Sequence, residues 1–119
     1  EGVRDEIVLM ASGGVRTADD IAKSIALGAD GAVIGSSELV ALGCVRCGNC
    51  ESGRGCPRGI ATTDPELEKQ IDASWAAQRI TNLYRAWQKQ LQQLLRKLGL
   101  DDIRELRGRT DFLRYVDGR

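Results

Sequence analysis

Ile7-Val8-Leu9-Met10-Ala11 is an unbroken apolar run with charges before it and Ser12-Gly13-Gly14 after it, the pattern of a short strand buried on both faces as in a parallel sheet. Thr17 stands three residues ahead of Asp20, an approximate capping box. Ile21, Ile25 and Leu27 then mark the apolar side of a helix that runs to about Leu27 and stops at Gly28. Gly31-Ala32-Val33-Ile34 is the next strand. Two buried parallel strands joined by a helix make a right-handed βαβ crossover, and such a unit does not cover both faces of its own sheet. Neighbouring strands are therefore expected from outside this sequence.

Downstream, Gly35-Ser36-Ser37 ends the strand and a short helix is expected from Glu38 to about Leu42. Asp64-Pro65-Glu66 is a helix start, with Asp64 as N-cap, Pro65 at the first helical position, and Glu66 and Glu68 at the positive end of the dipole. Ile80, Leu83, Tyr84, Trp87, Leu91, Leu94, Leu95 and Leu98 keep the three-and-four spacing of an amphipathic helix ending at Gly99. Between Ile71 and Ala77 that stripe is irregular, so a break is expected there. Asp101 is placed to cap a last short helix through about Leu106. The leucines and aromatic residues of the long stripe are assigned to packing.

Composition narrows the function classes. The chain has 119 residues, enough for one small domain; it begins at Glu1, and its one methionine falls inside the first strand, so it reads as part of a longer protein. Seventeen basic and seventeen acidic residues cancel, so no net field draws nucleic acid or an anionic membrane to the chain. No apolar stretch approaches the roughly 20 residues of a membrane span, and no signal peptide opens the sequence. Neither nucleic acid nor membrane is an expected partner, and the expected location is cytoplasmic. Histidine is absent, which excludes a Ser-His-Asp triad, a Cys-His pair and every histidine-containing metal site within these residues.

All four cysteines fall in one segment, Cys44-x2-Cys47-x2-Cys50-x5-Cys56, with Pro57 directly after the last. Closely spaced thiolates with a trailing proline suit an iron–sulfur cluster, so Cys44, Cys47, Cys50 and Cys56 are the candidate metal ligands. A structural zinc site is the rival, although zinc ordinarily uses two CxxC pairs separated by a longer span; a disulfide pair is disfavoured in the cytosol. The segment around these cysteines is glycine-rich and aperiodic, so the metal is what would order it.

The two strand-to-helix junctions carry a second chemistry. Gly13 and Gly14 let the main chain turn and present its N–H groups, and Gly35, Ser36 and Ser37 sit where a strand ends and a short helix begins. Both are natural anion sites, because backbone amides and the helix dipole favour phosphate oxygens. In (β/α)8 barrels the loops after strands seven and eight, with the start of a small extra helix, form a recurrent phosphate site, and the spacing here fits it.

Ala11-Ser12-Gly13-Gly14-Val15-Arg16-Thr17 and Ala26-Leu27-Gly28-Ala29-Asp30-Gly31-Ala32-Val33-Ile34-Gly35 resemble the final quarter of FMN-dependent barrel oxidoreductases and of inosine monophosphate dehydrogenases. Residues further along the chain separate these families: Ala41-Leu42-Gly43-Cys44, the cysteine loop, and Cys56-Pro57-Arg58-Gly59-Ile60-Ala61-Thr62-Thr63-Asp64-Pro65-Glu66-Leu67 resemble the synthase domain of glutamate synthase. Gly108-Arg109-Thr110-Asp111-Phe112-Leu113 resembles that family's closing motif, and the likeness is greatest to the compact archaeal-type form.

The resemblance implies an α/β fold: the C-terminal part of a (β/α)8 barrel, its last βαβ unit over residues 1–43, then an iron–sulfur cluster loop over 44–63 and a helical C-terminal segment over 64–119. It implies FMN, with Ser12, Gly13, Gly14, Gly35 and Ser36 at the phosphate and ribityl chain and Arg16 as a further candidate. In the family three cysteines hold a 3Fe-4S cluster, and the matching positions are Cys44, Cys50 and Cys56; Cys47 is additional, and four thiolates would suit a 4Fe-4S cluster. The implied reaction is reductive: ammonia and 2-oxoglutarate give 2-iminoglutarate, which takes a hydride from reduced FMN to become L-glutamate. Implied partners are a glutamine amidotransferase domain or subunit as the ammonia source, and an NADPH-dependent reductase subunit or ferredoxin as the electron source. Residues for 2-oxoglutarate would lie on earlier strands, so no catalytic residue is assigned here and the isolated fragment is expected to be inactive. The alternatives are another FMN-dependent or inosine monophosphate dehydrogenase-like barrel oxidoreductase, or a non-enzymatic iron–sulfur electron-transfer module.

Overall fold

Met10–Ser12 (β1) and Gly31–Val33 (β2) pair in parallel in the computed structural model, which describes residues 2–118, with Met10 opposite Gly31, Ala11 opposite Ala32 and Ser12 opposite Val33. Between them runs the helix Ala18–Ala26 (α1), as the apolar spacing predicts. The chain is therefore a small mixed α/β structure with a two-stranded parallel sheet. It divides into two compact units, one holding the residues up to Ile34 together with those from Trp87 onward, the other Gly35–Ala86.

In the first unit, α1 starts where Thr17 accepts a hydrogen bond from the Asp20 amide at 3.3 Å, while the Asp20 carboxylate accepts from the amides of Arg16 and Thr17, both at 3.0 Å. This reciprocal box satisfies donors that the first helical turn leaves without partners. The face that α1 buries is Ala22, Ile25 and Ala26, packed with Leu95 and Leu106 and flanked by Ile21, Leu91, Leu94, Leu98 and Ile103. Leu27, expected on that face, instead lies exposed at the helix C-cap, one step past the point where the helix turns its apolar side inward.

The strand expectation needs correction. The run Ile7–Ala11 contributes only its end to β1, and Val8, Leu9 and Met10 are exposed rather than buried on both faces. A parallel strand is enclosed only when flanking strands and helices cover it, and among the described residues β1 has β2 as its one strand partner. A 3-10 turn, Arg4–Glu6, precedes it.

The C-terminal residues of the same unit close under α1. Ile103–Leu106 and Thr110–Phe112 are 3-10 turns, and Leu106, only 2% exposed, is the most deeply buried large side chain. The N-cap of the first turn is Asp102, not Asp101: the Asp102 carboxylate accepts from the Arg104 amide at 2.8 Å, and Glu105 reaches back to the amides of both Asp101 and Asp102. The reciprocal partner, Glu105, stands three residues after Asp102, and that spacing selects the cap.

The second unit contains Ser36–Ala41 (α2), two residues earlier than the expected start, then the cysteine segment and Pro65–Glu68 (α3). Asp64 caps α3 as expected, accepting from the Glu66 amide at 2.9 Å. The anticipated break after Ile71 lies just ahead of the 26-residue helix Ala73–Leu98 (α4), where the Asp72 carboxylate accepts from the Trp75 amide at 2.7 Å. Within this unit α4 is tied to α2 by Arg79, which donates to the Ala41 carbonyl at 3.0 Å, and by the Tyr84 hydroxyl, which donates to Glu38. That carboxylate pushes the Tyr84 phenol above its ordinary pKa. No helix among the described residues is long and apolar enough to cross a membrane.

Candidate functional site

Ser12 ends β1, and the two residues after it both take the left-handed backbone region, Gly13 at φ 97° and Gly14 at φ 71°. A side chain is strained there. The space where their Cβ atoms would sit is open, with no atom within 4 Å, so the turn exposes main chain to any group that approaches it. Arg16 is exposed at the helix start, and its own amide is already committed to Asp20. That amide is the largest of the influences that lower the pKa of the Asp20 carboxyl, ahead of the Thr17 hydroxyl. The start of α1 is thus capped from within, and an anion in this unit would rely on the Gly13-Gly14 turn upstream.

Gly35 and Ser36, in the second unit, open α2. Gly35 is its N-cap and provides no side-chain cap, and the space before its Cα is likewise open.

The four cysteines are all free thiols, in unequal surroundings: Cys56 is buried, Cys44 is half-buried, and Cys47 and Cys50 are exposed. The amides of Ala61, Arg58, Ile60 and Gly59 converge on the Cys56 sulfur, Ala61 with the largest effect, and together they pull its thiol below the ordinary pKa. Cys44 accepts a hydrogen bond from the Arg46 amide at 3.4 Å. To deliver it Arg46 adopts φ 55°, the left-handed region that a residue with a side chain enters at a cost of about 1 kcal/mol or more. Amides aimed at sulfur stabilise the thiolate, the form that binds metal.

The donor chemistry at Cys44 and Cys56 therefore fits a thiolate-held iron centre. The sulfurs do not converge: no three histidine, cysteine, aspartate or glutamate side chains among the described residues are grouped closely enough to share a metal ion.

Sequence reasoning considered Arg46 and Arg58 only for their charge, and three features that shape this segment lay outside it. Arg58 donates from Nε to the Gly43 carbonyl at 3.2 Å. Gly59, at φ 71°, sits so close to α3 that a Cβ would meet the Leu67 carbonyl oxygen at 2.2 Å. Arg46 is left-handed without being glycine. The second was open to inference, because a glycine three residues after a cysteine and just ahead of a helix start is a turn signal; the other two have no local signature.

A parallel strand pair with glycine-rich ends, followed by four thiols in one segment, describes a small mixed α/β protein. A family model described as a conserved region in glutamate synthase matches residues 1–101, and the chain belongs to the glutamate synthase family. The archaeal glutamate synthase (NADPH) of Methanocaldococcus jannaschii is 48% identical over 116 residues, covering 98% of this chain and 22% of the relative. The archaeal-type glutamate synthase (NADPH) of Dehalococcoides mccartyi is 45% identical and that of Thermotoga neapolitana 43%, each over 98% of this chain and 23% of the relative. The chain thus spans less than a quarter of the length of these curated relatives.

Proposed function

We propose that this chain is the cofactor-bearing C-terminal portion of a glutamate synthase, an oxidoreductase of glutamate biosynthesis and ammonia assimilation, and that it comes from the last part of a (β/α)8 barrel. The observation that carries this reading is likeness over 98% of the chain to archaeal-type glutamate synthases, a stretch that includes the cysteine segment. Support for the barrel comes from the parallel strand pair and from apolar residues left exposed on β1, which suit a strand that takes further neighbours. The location assigned is the cytoplasm.

Ser12, Gly13 and Gly14, and separately Gly35 and Ser36, are assigned to the phosphate and ribityl chain of FMN through main-chain N–H groups and serine hydroxyls. Arg16 contributes charge from the surface. Cys44, Cys50 and Cys56 are assigned to the iron–sulfur cluster, with Cys47 as a fourth thiolate. When bound, reduced FMN supplies hydride to 2-iminoglutarate, formed from ammonia and 2-oxoglutarate with loss of water, and the cluster supplies electrons singly from an NADPH-dependent reductase subunit or ferredoxin. What the chain's own residues do is hold and orient: the Cys56 turn buries its sulfur and lowers the thiol's pKa through its amides, that of Ala61 first, and the Arg46 amide donates a hydrogen bond that orients the Cys44 sulfur. Cys47 and Cys50, both exposed, would supply the remaining thiolates to a bound cluster. A glutamine amidotransferase domain or subunit supplies the ammonia.

The test is FMN, iron and labile-sulfide content of the full-length protein after anaerobic reconstitution, with glutamate formation from 2-oxoglutarate and ammonia in the presence of a reductant that reduces the flavin. Both cofactors and the reaction are expected; a colourless protein would remove the assignment. Cys56→Ser should abolish iron binding. Cys47→Ser should leave iron and the paramagnetic signal of an oxidised 3Fe-4S cluster in place if three thiolates suffice, and should convert the spectrum if the native cluster is 4Fe-4S.

A further inference from the structure

The cysteine segment is anchored at both ends. Upstream, the amides of Gly43 and Cys44 donate to the carbonyls of Val40 and Leu39 at 2.9 Å each, fixing this end to the last turn of α2. Downstream, the Gly59 amide donates to the Cys56 carbonyl at 3.0 Å, closing a turn that contains Arg58, and the close approach of Gly59 to the Leu67 carbonyl seats that turn on α3. The two anchors are joined by the Arg58 side chain, whose Nε donates to the Gly43 carbonyl across 15 positions of sequence. Gly43 has no side chain to obstruct it: a Cβ there would lie 3.3 Å from Arg58 Nη2.

We propose that Arg58 is a positioning residue, a clamp that holds the Cys44 end of the segment to the Cys56 end and so prepares these two thiols to bind one iron centre. The proposal rests on the reading that Cys44 and Cys56 share a cluster. Its physical basis is entropy. Bringing the ends of a flexible loop together costs conformational freedom, and a hydrogen bond that has already joined them lowers the cost of ligation. The other arginines of the segment do not have this geometry: Arg54 Nε turns to Ser52 Oγ, two residues away, at 2.9 Å.

The full-length protein, reconstituted with iron and sulfide, is compared as wild type, Arg58→Met, Arg58→Lys and Arg54→Met, with anaerobic iron release to a chelator as the readout. One hydrogen bond is worth a factor of a few to about ten, so Arg58→Met should release iron several-fold, up to about tenfold, faster. Arg58→Lys retains a cationic donor of sufficient reach and should stay near wild type, and Arg54→Met, which removes a charge but no clamp, should match it. Amide exchange gives a readout on the metal-free protein: in Arg58→Met the segment 43–47 should exchange faster while α1 is unchanged. Wild-type iron release by Arg58→Met overturns the clamp, as does equal acceleration in Arg54→Met or in Arg58→Lys. A wild-type protein that takes up no iron overturns the cluster reading itself, an outcome seen before any variant is made.

Discussion

Arg107 Nη1 lies 2.6 Å from Asp30 Oδ1, joining two residues 77 positions apart. The same carboxylate accepts from the Leu9 amide at 2.8 Å and from Arg4 Nη2 at 3.1 Å, while Arg107 Nη2 reaches Asp5 at 2.9 Å. Asp30, just ahead of β2, therefore gathers the entry to β1, the first 3-10 turn and the C-terminal turns of its unit. Isolated exposed ion pairs contribute little. Here one carboxylate with a 21% exposed side chain satisfies several donors at once, and a network of that kind retains more.

This arrangement has a pH signature. The Leu9 amide and then the Arg107 guanidinium hold the Asp30 pKa down to about 2, below the ordinary 3.8. Because the folded value is the lower one, the stabilisation is present in full above the unfolded pKa and fades as pH falls from about 4 towards 2. Asp30→Asn should lower the denaturation midpoint at pH 6, and its difference from wild type should shrink across that acid window. Parallel curves at every pH would count against the network.

Thr17→Ala removes the hydroxyl that accepts from Asp20. The expected loss is about 1 kcal/mol, typical of an N-cap, with Thr17→Ser restoring most of it. Chemical denaturation read by circular dichroism is the measurement, and an unchanged midpoint would show that Asp20 alone caps α1.

Gly59 and Gly53 have nearly the same left-handed φ, 71° and 74°, yet a Cβ on Gly59 meets the Leu67 carbonyl oxygen at 2.2 Å and one on Gly53 meets nothing within 4 Å. Gly53→Ala should cost only the backbone term, about 1–2 kcal/mol. Gly59→Ala should in addition push the Cys56 turn off α3, seen as faster amide exchange and protease cleavage between residues 56 and 70. Equal behaviour of the two variants would show that the approach to Leu67 is unimportant.

Leu106 is 2% exposed and packs with Ala22, Ile25, Ala26 and Leu95. Leu106→Ala should destabilise by about 2–5 kcal/mol through lost burial and the cavity left behind. Thermal unfolding of the full-length protein measures this, and a loss near zero would mean the site collapses freely around the smaller side chain.

Features made by neighbours in sequence are legible from residue order alone. Thr17 with Asp20 and Asp64 with Glu66 are caps whose partners lie within four residues, so composition and spacing suffice. Sequence points to Asp101 where the folded chain uses Asp102, because both are aspartates and what distinguishes them is the Asp102 carboxylate accepting from the Arg104 amide. The β1 run reads as buried and is exposed, because burial belongs to whatever lies beside a strand and is not a property of the run itself.

The candidate site divides in the same way. Four thiols in one segment and paired glycines after a strand are visible as residue types, and with them the chemistry proposed here: soft-metal ligation and anion binding. Which thiol is shielded, which amides face sulfur, and that Arg58 joins the two ends of the loop were decided by the folded chain. The reason is distance along the backbone: local periodicity and capping are governed by interactions within a turn, whereas a hydrogen bond spanning 15 or 77 residues exists only after packing has brought its partners together.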